Sequence, residues 1–402
     1  MAGIPVLHLI TGLNVGGAEY MLARFGAKLA ATHYEPSVLS LMRPGPVARD
    51  MRDANIAVAT LEMHQSRPGP RALAKLRAII RSSRPALLHG WMYHGNVAAS
   101  VGSLLGERQP VIWSIHHSIA NPSSEKLMTR AVIRLSVELS SRTSAISYCS
   151  RVSAEQHEAL GFAPDKRRII PNGVDCEQFH PRADARRYLC DALRLPAERL
   201  LVGNIARAHP MKDHGSFLRA IAGLRGMGLD AHGILIGDGH EQGGTARVAA
   251  ELGITPMITI SNARADIDRL MPGLDLFMLS SAWGEAFPLV VAEAMASGVP
   301  AIATDVGDCA WLVGDRQLVV EPKHADGLAK LAASILCLSQ DLRRELGERA
   351  RRRIVERFSL RCYVDSHLSL YDEILDQQPI RAARQTGWRP FANSARRPWY
   401  GL

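Results

Sequence analysis

Short apolar runs alternate along this chain with stretches whose apolar positions recur at helical spacing. In the first half, 6–10, 37–41, 57–61, 86–89, 111–115 and 144–148 read as buried strands, with amphipathic helices at 19–31 and 71–81. In the second half, 201–205, 233–236, 257–260, 274–279, 301–303 and 318–320 read as strands, with helices at 215–224 and 289–296, a helical run over 328–353 and a last helix over 360–375. Strands alternating with helices predict βαβ units and parallel sheets. The expected fold class is therefore α/β, with two Rossmann-like doubly wound domains facing across a cleft. The expected boundaries are 1–175 for the first domain, 176–198 for a linker, 199–356 for the second domain, 357–376 for a helix crossing back to the first domain, and 377–402 for a basic, mobile tail. The linker assignment rests on 171–196, which carries Pro, Gly, Asp and Arg without strand periodicity. Ligands of such sheets bind beyond the carboxyl ends of the strands, so polar and glycine-rich loops after strands are the candidate sites.

Composition narrows the class. With 402 residues, 47% hydrophobic and 22% charged, the chain is neither disordered, collagen-like nor a small disulfide scaffold. The net charge is +9, but its distribution is uneven: +7 over 1–180, −3 over 181–376 and +5 over 377–402. A nucleic-acid binder with basic patches on every domain would not show this pattern, so no nucleic-acid partner is expected. The six cysteines form no CxxC pair and have no His partners at zinc-finger spacing, which fits reduced thiols in the cytoplasm. The N-terminal residues lack a basic region and a cleavage site, so no signal peptide is expected. The longest nearly uncharged stretch, 286–304, is interrupted by Pro288, Gly298 and Pro300 and reads as helix, turn and strand rather than as a membrane span.

Three loops carry candidate chemistry. The first, Thr11 to Glu19, follows the first strand and contains Gly16 and Gly17 ahead of a helix, a place where backbone N–H groups meet an anion. Its spacing is neither GxGxxG nor a P-loop. The second follows the first strand of the second domain and carries Arg207 and Lys212, a planar fork and a mobile point charge suited to a diphosphate. Asp213 is placed to cap the next helix. The third runs from Trp283 through Glu285, Ala286, Phe287, Pro288 and Leu289 to Glu293 and Gly298. Pro288 suits a first helical position, Glu293 sits among apolar residues, and carboxylates are natural acceptors for sugar and ribose hydroxyls. Smaller features are His116 and His117 after one strand, Trp91, Tyr93 and His94 after another (stacking on an acceptor sugar, or packing), and Gly237 and Asp238 at a turn near a nucleotide base. Asp266-Ile267-Asp268 spells the DxD of metal-dependent sugar transferases, but an acid opening a helix needs no metal to explain it.

Together, Gly16-Gly17-Ala18-Glu19, Pro171-Asn172-Gly173-Val174-Asp175, Arg207 with Lys212, Gly237-Asp238-Gly239 and Glu285 with Glu293 resemble the family 4 retaining glycosyltransferases of GT-B fold, over about 6–375. Gly90 to His94 and the segment from Thr304 to Gly314 look like bacterial surface-polysaccharide transferases. The resemblance implies transfer of a sugar from a nucleotide-diphosphate sugar to a glycan or lipid-linked saccharide, with retention and without a metal or other cofactor. It implies that Arg207 and Lys212 bind the donor diphosphate, helped by Gly16 and Gly17. It implies that Glu293 holds the ribose hydroxyls, that Glu285 and the backbone of Ala286, Phe287, Pro288 and Leu289 face the donor sugar, and that Gly237 and Asp238 line the donor site. His117, or its neighbour His116, would contact the donor sugar from the acceptor side, where Trp91, Tyr93 and His94 are also expected. Glu285, His117, Arg207 and Lys212 form the expected catalytic set. Many relatives place Gly-Gly and Glu after the Thr-Asp-Val segment, where this chain has Gly307-Asp308-Cys309. An epimerase or phosphorylase of the same fold is the alternative. A non-catalytic nucleotide-sugar binder is a further one, and a dinucleotide oxidoreductase is disfavoured by the missing GxGxxG and ribose-binding acid.

The basic excess of the first half has its own focus. Arg67, Arg71, Lys75, Arg77, Arg81 and Arg84 run without an intervening acid along a helix that also carries Leu73, Leu76, Ile79 and Ile80. Such a helix suits an anionic membrane surface, placing the protein peripherally on the inner face of the cell membrane; a solvated basic face is the plainer reading.

Overall fold

The structure, a computed structural model, describes residues 3–63, 69–119 and 126–377. It divides into two units, one running to Pro171 and resuming at Tyr363, the other spanning Asn172–Cys362.

The first unit holds seven strands: β1 (Ile4–Ile10), β2 (Tyr34–Ser40), β3 (Ala57–Thr60), β4 (Leu87–Trp91), β5 (Val111–Ile115), β6 (Ala145–Tyr148) and β7 (Arg167–Ile169). They are parallel in the order β3-β2-β1-β4-β5-β6-β7, so the winding reverses between β1 and β4. The inner strands are largely apolar because helices cover both faces, as a parallel sheet requires. Leu7, Leu9, Leu88, Trp113 and Ile146 form its core with Ile80 and Ile133 from covering helices. The expected strands appear within a few residues, while β7 is an addition. Its sequence, Arg-Arg-Ile, lacks an apolar run because it is an edge strand with one side unpaired.

The second unit holds β8 (Leu200–Ile205), β9 (Ala231–Ile236), β10 (Ile258–Ser261), β11 (Leu276–Leu279), β12 (Ala301–Thr304) and β13 (Val319–Val320). They are parallel in the order β10-β9-β8-β11-β12-β13, with the reversal between β8 and β11. Val202, Leu235, Leu276 and Ile302 meet Phe217, Ile221, Leu328 and Ala332 in its core.

Two expectations change. The linker 176–198 belongs to the second unit and contains helix Ala185–Leu193. That helix is held by side chains sequence spacing does not reveal: Arg186 Nη1 donates to Asp275 Oδ2 at 2.8 Å and Tyr188 OH to Asp266 Oδ2 at 2.7 Å. The run 328–353 is two helices, Ala325–Leu336 and Gln340–Arg357, divided where Ser339 accepts from Leu342 N to start the second. No Gly or Pro marks that break. The last helix spans Leu360–Asp376, and from Tyr363 it belongs to the first unit, where Tyr371 OH lies 2.6 Å from His89 Nδ1. The basic tail beyond residue 377, and Arg67, lie outside the described residues.

Candidate active site

In the second unit the loops after β8 and β11 are built as one object. Asn204, buried at the end of β8, donates through Nδ2 to Met278 O at 2.9 Å and to Ser280 Oγ at 3.2 Å, joining the carboxyl ends of both strands. Ser280 Oγ donates to Lys212 O at 2.8 Å, and Ala282 N to Met211 O at 2.7 Å. These bonds bring Lys212 over Glu285: Nζ donates to Oε1 at 2.6 Å, and Ser281 Oγ donates to the same oxygen at 2.6 Å. The two side chains are only 15% and 9% exposed. A buried carboxylate is tolerated there because two donors, one of them charged, satisfy it. Its field also reaches Cys309, whose thiol is pushed up first by burial and then by Glu285.

Arg207 differs from Lys212. It is exposed and has no carboxylate partner among the described residues, so its guanidinium is available to an anion. Asp213 caps helix His214–Gly226 as expected, its Oδ1 accepting from Ser216 N at 3.2 Å and its Oδ2 from Ser216 Oγ at 2.6 Å. The turn at Gly237 and Asp238 is latched to the Arg207 loop: Ala208 N donates to Asp238 O at 2.7 Å, and His240 Nε2 lies 3.1 Å from Ala206 O. The Asp238 side chain stays exposed.

Ala286, Phe287 and Pro288 are buried, and helix Leu289–Ala296 begins after Pro288, which caps it rather than occupying its first position. Gly307 (φ +60°) packs on the carbonyls of Glu285 and Ala286 so closely that any Cβ would collide. Asp308 N donates to Ala286 O at 3.2 Å. Sequence placed the buried acid at Glu293; the structure corrects this, burying Glu285 more deeply and leaving Glu293 partly exposed. Val291, Ala292, Ala294 and Met295 take the core face, and Glu293 shares the opposite face with Leu289 and Val290.

In the first unit, Gly16 precedes helix Gly17–Leu29 in extended conformation and Gly17 is exposed. His116 and His117 follow β5 and are partly buried. The backbone of this segment is tied down by helix Arg151–Ala159: Ser153 Oγ donates to His117 O at 2.6 Å, and Gln156 Oε1 accepts from Ser118 Oγ and Ile119 N, both at 2.8 Å. Neither Ser153 nor Gln156 carries a sequence signal. Trp91 and Tyr93 are not open platforms for a sugar. Trp91 is fully buried, donating through Nε1 to His8 Nδ1 at 3.1 Å and stacking on His116 at 5.1 Å. Tyr93 is buried with its OH 2.8 Å from His157 Nε2. Strand β4 ends inside the sheet's helical cover, which puts both rings in the core. His94 is half-buried, and burial lowers its pKa. The Asp-x-Asp at 266–268 is committed to ion pairs: Asp266 accepts from Arg264 and Tyr188, and Asp268 Oδ2 lies 3.2 Å from Arg182. Arg264 chiefly holds the Asp266 carboxyl down to about 2.

Two family models together match most of the chain: Glycosyltransferase Family 4 over residues 15–178, and glycosyl transferases group 1 over residues 190–353. The chain belongs to the family 4 glycosyltransferases. It is 25% identical to the N-acetyl-alpha-D-glucosaminyl L-malate synthase of Bacillus anthracis over 370 residues, 90% of this chain and 95% of that protein. It is 28% identical to the lipopolysaccharide core biosynthesis glycosyltransferase LpsE of Rhizobium meliloti over 180 residues, 44% of this chain and 51% of that protein. Among solved structures, Anabaena HepE in complex with UDP superposes with a TM-score of 0.81 at 21% identity, covering 92% of this chain and all of that one. The fold is GT-B, and this glycosyltransferase has a relative in bacterial lipopolysaccharide core biosynthesis.

Proposed function

We propose that this glycosyltransferase takes a sugar from a nucleotide-diphosphate sugar and transfers it, with retention, to a glycan or lipid-linked saccharide of the bacterial surface. The observation that carries the reading is the pairing of a buried Lys212–Glu285 contact with an exposed Arg207, which has no carboxylate partner among the described residues, on adjoining loops at the carboxyl ends of β8 and β11. A diphosphate leaving group is stabilised by two cations of this kind: the planar Arg fork chelates and the Lys neutralises. Glu285 and the backbone of Ala286 to Leu289 face the sugar, Glu293 the ribose, and Gly237 with Asp238 the base side. Gly16 and Gly17 add backbone N–H groups to the phosphates. HepE was solved with UDP, and with UDP-glucose in another crystal, which supports a nucleotide sugar as donor class.

In the retaining step the acceptor oxygen forms a bond to the anomeric carbon on the face from which the diphosphate departs. The departing phosphate oxygen takes the acceptor's hydroxyl proton, and His117, with His116 and His94 nearby in sequence, contacts the sugar. The chemistry needs no resident metal or cofactor: Arg207 and Lys212 supply the charge, and the acids of the Asp-x-Asp sequence are committed elsewhere. The protein works in the cytoplasm, peripherally at the membrane's inner face.

The test incubates the protein with UDP-, GDP- and ADP-sugars and a lipid-linked saccharide extract, following sugar transfer and the anomeric configuration of the product by NMR. Transfer with retention by the wild type and its loss in Arg207→Ala are expected; equal transfer by Arg207→Ala would overturn the reading.

A further inference from the structure

Among the described residues, three of the four tryptophans serve packing. Trp91 and Trp113 are fully buried, and Trp311 lies 5.1 Å from Phe358, ring centre to ring centre. Trp283 is 44% exposed. It stands on the loop after β11, two residues before Glu285.

This exposure is built in. Ala282 N is held by Met211 O, and Thr304 Oγ1 donates to Ser281 O at 2.6 Å on the preceding residue. On the following residue, Gly284 has φ +79° and lies so close to Met211 that any Cβ would meet its thioether. Glycine accepts both the backbone angle and the contact without strain; any other residue would strain the backbone and push the thioether aside. The backbone around Trp283 is thus fixed from both sides, by partners that also position Lys212 and Glu285. A slack loop would let so large an apolar ring fold onto the surface; a pinned one holds it in water beside a polar site.

We propose that Trp283 is an aromatic platform on which a pyranose ring of a saccharide substrate stacks at the edge of the Lys212–Glu285 site; this rests on the donor reading above. The chemistry is complementary. A pyranose presents a face of weakly positive C–H groups, which matches the negative face of the indole. Its equatorial hydroxyls stay free for oxygen acceptors such as Glu285 and backbone carbonyls. The ring belongs either to the donor sugar or to the acceptor, and kinetics separates them.

The full chain is compared with Trp283→Ala and Trp283→Phe, using UDP-glucose, GDP-mannose and ADP-glucose as donors and UDP, GDP and ADP as their sugarless counterparts. The platform predicts a roughly tenfold rise in one saccharide KM in Trp283→Ala, largely restored in Trp283→Phe, with sugarless nucleotide affinity unchanged. A rise in donor KM places the stacked ring on the donor, and a rise in acceptor KM places it on the acceptor. Equal loss of UDP, GDP or ADP affinity would mean base stacking and overturn the proposal. So would a fall in kcat with both KM values unchanged, or a lowered Tm in Trp283→Ala showing a packing role. If the wild type binds none of the nucleotides, the donor reading itself fails; if it binds them and the variants behave alike, only the platform fails.

Discussion

Lys212 Nζ and Glu285 Oε1 lie 2.6 Å apart, with Ser281 Oγ donating to the same carboxylate oxygen, so the residue that would receive the diphosphate is already engaged by the acid that would face the sugar. The contact does two things. It keeps a buried carboxylate satisfied, and it preorganises the ammonium at the ends of β8 and β11. Removing either partner alone leaves a buried charge poorly compensated.

Lys212→Met and Glu285→Gln should therefore each lower stability, and the double variant should lose less than the sum. A coupling of about 1–3 kcal/mol is expected for groups in direct contact. Denaturant unfolding of the four proteins measures it, and strict additivity would show that the pair carries no stability.

Arg207→Ala should behave oppositely. The side chain is exposed and has no carboxylate partner among the described residues, so its loss should shift stability by no more than about 0.5 kcal/mol. Transfer, by contrast, should fall at least 100-fold, since a bidentate charge-assisted contact is lost at the leaving group. Thermal unfolding and initial rates on the same preparation check both halves.

These two cations were legible in the sequence as a pair but not as unlike members. A strand-to-loop register gives position, whereas burial depends on partners from β11, about 70 residues away. The same limit explains the acids. Local composition around Glu293 suggests a buried residue, yet the helix turns it away from the core, and Glu285 is buried because Ser281 and Lys212 converge on it. The strands were legible because buried parallel strands are predominantly apolar on both faces. The Arg-rich edge strand β7 and the helix Ala185–Leu193, stabilised by distant polar partners, were not. Trp91 and Tyr93 misled for a related reason: an aromatic after a strand looks the same in sequence whether it faces solvent or the cover of the sheet.

The first unit should be sensitive to acid. His8, His89, His157 and His367 are fully buried, and desolvation holds all four below the usual imidazole value, with His8 at about 3 and His157 and His367 at about 4. A folded-state value below the unfolded one means that the unfolded chain binds more protons in acid. The stabilisation is complete above pH 6.5 and is lost as pH falls from 6.5 towards 4, by about 1.4 kcal/mol per pH unit for each histidine. Denaturant midpoints at pH 7.5, 6 and 5 should fall steeply. His367→Gln in the last helix should flatten that slope, and an unchanged slope would tell against this account.

The membrane expectation can now be located on three helices rather than one. Helix Pro70–Ser83 exposes Arg71, Lys75, Arg77 and Arg81, with Arg84 just beyond it and Leu73 among them. Helix Leu127–Ser140 exposes Leu127 (78%), Met128 (56%), Leu135 and Arg134, and helix Met92–Leu105, which packs against both, exposes Leu104. These helices make the successive crossovers from β3 to β6, past the point where the winding reverses, so they cover one face of the sheet. Exposed apolar side chains flanked by cations suit a bilayer interface, where each basic residue adds about 1 kcal/mol at an anionic surface and the attraction weakens as salt screens it. The protein should therefore pellet with phosphatidylglycerol-containing vesicles at low salt and release at high salt. Arg77→Glu with Arg81→Glu should abolish the salt-sensitive part, while Leu127→Ser with Met128→Ser should weaken binding at every salt concentration. Equal binding to purely zwitterionic vesicles, or full binding by the charge-reversed variant, would show that the basic helix is a solvated face and that the +7 of the first half serves some other end.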